Sequence, residues 1–180
     1  MKTILLGVTG SIAAYKAADI ANSLTKKGYA VETILTKGGC AFITPLTFQS
    51  LTKHRVYTDV FEEKYPHEIQ HISLAKKADL ALIAPASADI IGKAANGIAD
   101  DMLSTVLCAL SGVPILFAPA MNTQMYANPI VQGNIQRLQQ VGYTIIEPKE
   151  ALLACGDLGK GALADVDTII KFVEQALKNK

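Results

Sequence analysis

Short, nearly uninterrupted apolar runs recur along the chain at residues 3–8, 30–36, 79–84, 114–118 and 143–146. Their length and continuity match strands buried on both faces, as the strands of a parallel sheet are. The stretches between them carry helical spacing: 11–27, about 45–52, 73–78, 87–98, 101–110, 129–141 and 165–179. Gly28 and Gly142 follow two of these segments, at the position where a glycine commonly ends a helix. Strands alternating with helices predict βαβ units and a three-layer α/β architecture around a doubly wound, mostly parallel sheet. One domain over 1–180 accounts for the whole pattern. Two stretches fit it poorly, 52–70 and 147–164. The second, with Gly156, Gly159 and Gly161, reads as a mobile loop.

Composition narrows the functional classes. The 180 residues include 17 Lys+Arg against 16 Asp+Glu, a net charge of +1, so no electrostatic argument favours nucleic acid or an anionic membrane surface. Half the residues are hydrophobic, which excludes a disordered chain. Charged residues make up 18%, below the usual ~25%, and this shortage suggests hidden surface, as in a homo-oligomer. Residues 4–8 resemble the start of a secretory signal, but Thr9, Gly10 and Ser11 break the run and Lys16 and Asp19 follow. Residues 102–136 carry no charge, yet Ser104, Thr105, Pro114, Pro119 and Asn122 interrupt them, so they read as a buried helix, a turn and a buried strand. Cys40, Cys108 and Cys155 form no CxxC pair and indicate neither a disulfide framework nor a metal site. A cytoplasmic location is expected.

In an open sheet of this Rossmann-like or flavodoxin-like kind, ligands bind outside the carboxyl ends of the strands. After the first strand comes Gly7-Val8-Thr9-Gly10-Ser11-Ile12, where a tight turn and a helix start could hold a phosphate. The run is not G-x-G-x-x-G, and the second strand ends Thr36-Lys37-Gly38 without the acidic residue that binds a ribose diol. A mononucleotide therefore fits better than a dinucleotide. Pro85-Ala86-Ser87-Ala88-Asp89 supplies small residues and an N-cap serine. Pro119-Ala120-Met121-Asn122 places an amide directly after a strand, able to donate and to accept. Asp100-Asp101 reads as acidic capping of a helix rather than a catalytic pair. Of the three histidines, His54, His67 and His71, the last lies near a helix start, where a neutral imidazole is favoured and can act as a base. Cys155, in Ala154-Cys155-Gly156-Asp157, sits in glycine-rich company unlike that of an inert buried thiol, whereas Cys40 and Cys108 read as core.

Together Gly10-Ser11, Pro-Ala-Ser-Ala-Asp, Pro-Ala-Met-Asn-x-x-Met-Tyr, His71 and Ala-Cys-Gly-Asp, in register from about residue 3 to 165, resemble the flavin-dependent cysteine decarboxylases. The resemblance implies a non-covalent FMN and a small-molecule substrate, 4′-phosphopantothenoylcysteine, on the route to coenzyme A. Oxidation of the cysteinyl side chain to a thioaldehyde would let carbon dioxide leave, and the enethiolate would then be protonated and reduced. The resemblance makes His71 the base, Asn122 the ligand of the substrate carboxylate and Cys155 the acid, with Leu153 and Ala154 beside the substrate on a closing loop. Gly10, Ser11, Thr36, Pro85, Ala86, Ser87 and Ala88 would hold FMN. It also implies a homotrimer or a dodecamer of trimers, no metal, no nucleic acid and no membrane. Bifunctional relatives carry a synthetase domain after the decarboxylase, and the end at Lys180 leads us to expect that activity on a separate protein.

Three positions depart from the family pattern. Ala162 stands where an arginine is common, Tyr126 where some relatives have tryptophan, and Thr36 where serine is commoner. The alternatives are a peptidyl-cysteine decarboxylase of the lantibiotic type, a flavin prenyltransferase and a non-catalytic flavin-binding regulatory subunit. Asp89-Ile90 favours the coenzyme A branch over the peptide enzymes. Asn122 and Cys155 together argue against the prenyltransferase, and retention of His71 and Cys155 argues against the regulatory subunit.

Overall fold

The computed structural model describes residues 1–61, 69–152, 156 and 158–178. Its first half runs β1 (Thr3–Val8), α1 (Ala14–Lys26), β2 (Ala30–Leu35), α2 (Lys37–Phe42), α3 (Pro45–Thr52), β3 (Val56–Tyr57), α4 (Gln70–Lys77) and β4 (Leu80–Ala86). There follow α5 (Ala88–Asn96), α6 (Met102–Ala109), β5 (Ile115–Pro119), α7 (Thr123–Ala127), α8 (Pro129–Gln140) and β6 (Thr144–Ile145). The hairpin β7 (Lys149–Leu152) and β8 (Leu158–Ala162) and the helix α9 (Val166–Lys178) complete it.

Six strands form one sheet in the order β3-β2-β1-β4-β5-β6, every pairing parallel. The order reverses between β1 and β4, the place where doubly wound sheets open a crevice for ligands. Every residue of β1, β2 and β4 is buried, which is why these strands read as largely apolar runs, broken in β2 by the buried Glu32 and Thr33. Alternation splits them: Ile4, Leu6 and Val8 pack with α1, α3 and α9, while Leu5 packs with α4, α5, α6 and α8. In α1 the buried positions Ala17, Ile20, Ala21 and Leu24 keep helical spacing, and Gly28, at φ 87°, turns the chain toward β2.

Several boundaries differ from the sequence reading. The segment Lys37–Phe42, whose two glycines argue against helix, forms α2 because Thr36 caps it, accepting from the Gly39 amide at 3.1 Å. Helix α4 starts at Gln70 rather than residue 73, with no side-chain cap to mark it, so His71 lies inside its first turn. The expected loop over 147–164 contains the β7–β8 hairpin. Cys108 is exposed rather than core, because α6 buries Met102, Leu103, Val106 and Leu107 and turns the next position outward. Cys40 is partly buried, and that burial raises its thiol pKa. No helix among the described residues is long and apolar enough to cross a membrane.

Candidate active site

Chain tips from four neighbouring strands, β2, β1, β4 and β5, meet around the switch point. Thr9 follows β1 and is almost fully buried; its hydroxyl donates to the Pro85 carbonyl oxygen at 2.8 Å and accepts from the Ser87 amide at 2.9 Å. The peptide between Ala84 and Pro85 is cis. One strand further, the Ala120 amide donates to the Ala86 carbonyl oxygen at 3.0 Å. On the other side the Thr36 amide donates to the Val8 carbonyl oxygen at 3.1 Å. The loops after β1 and β2 then touch backbone to backbone: a Cβ on Gly10 would lie 3.1 Å from the Gly38 Cα. These bonds fix the rim before any ligand arrives.

Along this rim runs a cleft of about 490 Å³. Gly10, Ser11 and Ala13 line it from the β1 loop, Ser87 and Ala88 from the start of α5, and Ala120, Met121 and Asn122 from the end of β5. Tyr15 and Lys16 of α1, Phe42 of α2, and Leu152, Gly161 and Ala162 of the hairpin close its sides. Ser87 caps α5, accepting from the Ile90 amide at 3.4 Å, so the positive end of that helix borders the cleft. Asn122 caps α7: its Oδ1 accepts from the Gln124 amide at 2.8 Å, which fixes the plane of the side chain and makes Nδ2 the donor end. Among the described lining residues Lys16 carries the only formal charge.

Of the residues expected to hold a cofactor, the structure brings Gly10, Ser11, Ser87 and Ala88 onto the cleft wall together with Asn122. Thr36, Pro85 and Ala86 are not on the wall. They lie directly behind it, bonded to Val8, Thr9 and Ala120 respectively. His71 is not on it either; it belongs to α4, which packs against α6, and its Nδ1 is buried without a hydrogen-bond partner. Leu153, Ala154 and Cys155 lie outside the described residues. Two contributors escaped the sequence reading. Thr9 resembles any turn residue, and a helix read from residue 11 gives Lys16 no special place, whereas the true start at Ala14 sets it beside the cleft.

The wall suits a flavin mononucleotide. Gly10, Ala13, Ala88, Ala120, Gly161 and Ala162 contribute only small side chains to the wall, and Tyr15, Phe42 and Leu152 give it apolar sides, the kind of space a flat ring needs. Ser11, Ser87, the N-terminus of α5 and the Lys16 ammonium supply hydroxyl donors and positive potential for a phosphate. Among the described residues no group of three or more His, Cys, Asp or Glu side chains could hold a metal ion.

Comparison with known proteins identifies relatives of this chain. The chain is 55% identical over 177 residues to a probable phosphopantothenoylcysteine decarboxylase of Streptococcus mutans, covering 98% of this chain and 99% of the relative. It is 50% identical over 174 residues to the coenzyme A biosynthesis bifunctional protein CoaBC of Bacillus subtilis, covering 97% of this chain but 43% of that longer protein. Among solved structures, a PPC decarboxylase variant complexed with pantothenoylaminoethenethiol superposes with a TM-score of 0.90 at 33% identity, over 97% of each chain. The FMN-dependent cysteine decarboxylase SpaF gives a TM-score of 0.86 at 31% identity, over 99% of this chain and 97% of its own. A family model described as Flavoprotein matches residues 1–178. The chain belongs to the Flavoprotein family and groups there with the cysteine decarboxylases.

Proposed function

We propose that the chain catalyses the FMN-dependent decarboxylation of 4′-phosphopantothenoylcysteine to 4′-phosphopantetheine, a carbon–carbon lyase step in coenzyme A biosynthesis. One observation carries the reading: Ser11, Ser87, Ala88 and Asn122 converge from three strand ends on one slot, in a chain 55% identical to a probable enzyme of that activity. When bound, FMN supplies reversible two-electron redox chemistry beside the substrate's cysteinyl sulfur.

The chain's own residues bind and orient. Gly10, Ser11, Ser87 and Ala88 would hold the cofactor directly, with Thr36, Pro85 and Ala86 as the backing that keeps them in place. Lys16 offers a counter-charge to a phosphate. Asn122 donates from Nδ2 to the substrate carboxylate. A neutral donor suits this task, because a full cation would stabilise the carboxylate more than the transition state that loses it. His71, in the first turn of α4, accepts a proton in the decarboxylation half-reaction. Cys155 donates the proton that the enethiolate takes up.

A homo-oligomer, a trimer or a dodecamer of trimers, completes the proposal. His71 lies off the cleft of its own chain, and its neighbour Ile69 is an apolar residue 55% exposed. Ile12 and Tyr15, on the cleft wall, are also exposed. A second copy covering these residues could bring its α4 to the cleft. The working location is cytoplasmic, where the substrate is made and used.

Purified protein is expected to be yellow, to release FMN on denaturation and to convert 4′-phosphopantothenoylcysteine to a product lighter by carbon dioxide in mass spectrometry. A peptide ending in cysteine should be left unchanged. Colourless protein that takes up no FMN overturns the proposal.

A further inference from the structure

Strands β7 and β8 form a sheet of their own, so the six-stranded sheet does not hold them against the cleft. Part of the attachment is backbone: the Met121 amide donates to the Gly161 carbonyl oxygen at 3.0 Å. A Cβ at Gly161 would collide with the Met121 carbonyl oxygen, and one at Gly159 would lie 2.7 Å from the Thr123 methyl carbon. Lys149 of β7 also pairs with Asp165, and a further set of contacts converges on a single carboxylate oxygen. Lys160 of β8 places its ammonium 2.6 Å from Glu147 Oε2, and the Tyr126 hydroxyl of α7 donates to the same oxygen at 3.1 Å. The ammonium also lies 5.6 Å from the centre of the Tyr126 ring. Gln132 of α8 donates to the Tyr126 carbonyl oxygen at 2.6 Å and steadies that partner.

None of these three side chains lines the cleft, while Leu152, Gly161 and Ala162 of the same hairpin do. The Glu147 and Lys160 side chains are 57% and 44% exposed, so their pair is weak, screened by salt and easily broken. Burial first, then the Glu147 charge, raises the Tyr126 pKa and keeps its phenol a donor.

We propose that Glu147 is a positioning residue: its carboxylate latches the β7–β8 hairpin onto α7 and thereby sets how often Leu152, Gly161 and Ala162 close the cleft beside Asn122. The kinetic half of this inference rests on the decarboxylase reading above; the mechanical half does not. A closed state that is populated less lowers apparent affinity by the same fraction and leaves the chemistry of that state unchanged.

The test uses the FMN-loaded full chain as wild type, Glu147→Gln, Lys160→Met and the charge swap Glu147→Lys with Lys160→Glu. Hydrogen exchange of the Met121 amide reports attachment, and KM and kcat for 4′-phosphopantothenoylcysteine report closure. Glu147→Gln and Lys160→Met should each speed exchange and raise KM about 5-fold at low salt, with kcat kept. The swap re-forms the charge pair but leaves nothing at residue 147 to accept from Tyr126, so it should restore both only in part, and raising salt to about 1 M should erase the difference between wild type and Glu147→Gln. Unchanged exchange in both single variants, or a KM change without an exchange change, overturns the latch. If wild-type protein evolves no carbon dioxide, the decarboxylase reading fails and the exchange measurements alone decide the latch.

Discussion

Thr9 is joined to Pro85 by a buried hydroxyl-to-carbonyl bond of 2.8 Å, so the tips of β1 and β4 are tied across the switch point. The same oxygen accepts from the Ser87 amide, which sets the first residue of the α5 cap in place. Backbone groups that would face away from solvent are thus satisfied by one side chain.

Thr9→Val keeps the shape of that side chain and removes both bonds. The stranded carbonyl and amide should cost about 1–3 kcal/mol each. Thermal unfolding with and without added FMN measures the result. We expect a lower Tm and faster loss of flavin on gel filtration. A variant that melts and retains FMN as wild type does removes Thr9 from the account of the site.

Asp101 gives a prediction in pH. Its Oδ1 accepts from the Ser104 amide at 2.8 Å in a capping box, and its Oδ2 lies 2.9 Å from the Lys93 ammonium. Burial opposes the charge, but the Ser104 bond and the Lys93 ammonium outweigh it and hold the pKa below the ordinary carboxylate value. A depressed folded-state pKa adds stability above the unfolded value of about 3.9 and loses it as pH falls through the folded one. Asp101→Ala should therefore cost about 1 kcal/mol near neutral pH, with the gap to wild type narrowing below about pH 4. Denaturant titrations at several pH values check the trend. A gap that widens in acid contradicts it.

The proposed sharing of a cleft between two copies makes His71 and Asn122 testable as a pair. His71→Asn should lower turnover about 10²–10⁴-fold while retaining FMN, the range for loss of a general base. Asn122→Asp should also be inactive, because it places a like charge beside the substrate carboxylate. Co-expression of the two variants, followed by tandem-tag purification of mixed oligomers, should recover part of the activity. No recovery would mean that His71 serves its own chain's cleft.

The fold was legible where burial is two-sided. Strands β1, β2 and β4 are covered on both faces, so most of their residues are apolar and adjacent, with Thr3, Glu32 and Thr33 the buried exceptions. The Asp101 cap was legible too, since its chemistry is local. Segment Lys37–Phe42 was hidden because its helix depends on Thr36 and on Gly39 passing the Val8 carbonyl oxygen, where a Cβ would sit 2.5 Å away. The β7–β8 hairpin was hidden for a similar reason: Gly159 and Gly161, read as marks of a loose loop, are demanded by close approach to Thr123 and Met121. Cys108 misled because apolar neighbours in sequence lie on other faces of α6.

At the site, Ser11, Ser87 and Asn122 could be found in advance because a parallel sheet delivers every strand's following residue to one edge. Lys16 and Gly161 could not. Their nearness depends on where α1 begins and on how a distant hairpin folds back.

The abutment of Gly10 and Gly38 couples two stretches of chain that no side chain separates. Neither glycine can gain a methyl group without pushing the other's main chain aside, so the pair must drift together or stay fixed. Retuning this protein toward a different nucleotide would thus begin at Ser11, whose hydroxyl can be exchanged without prising the two strand tips apart.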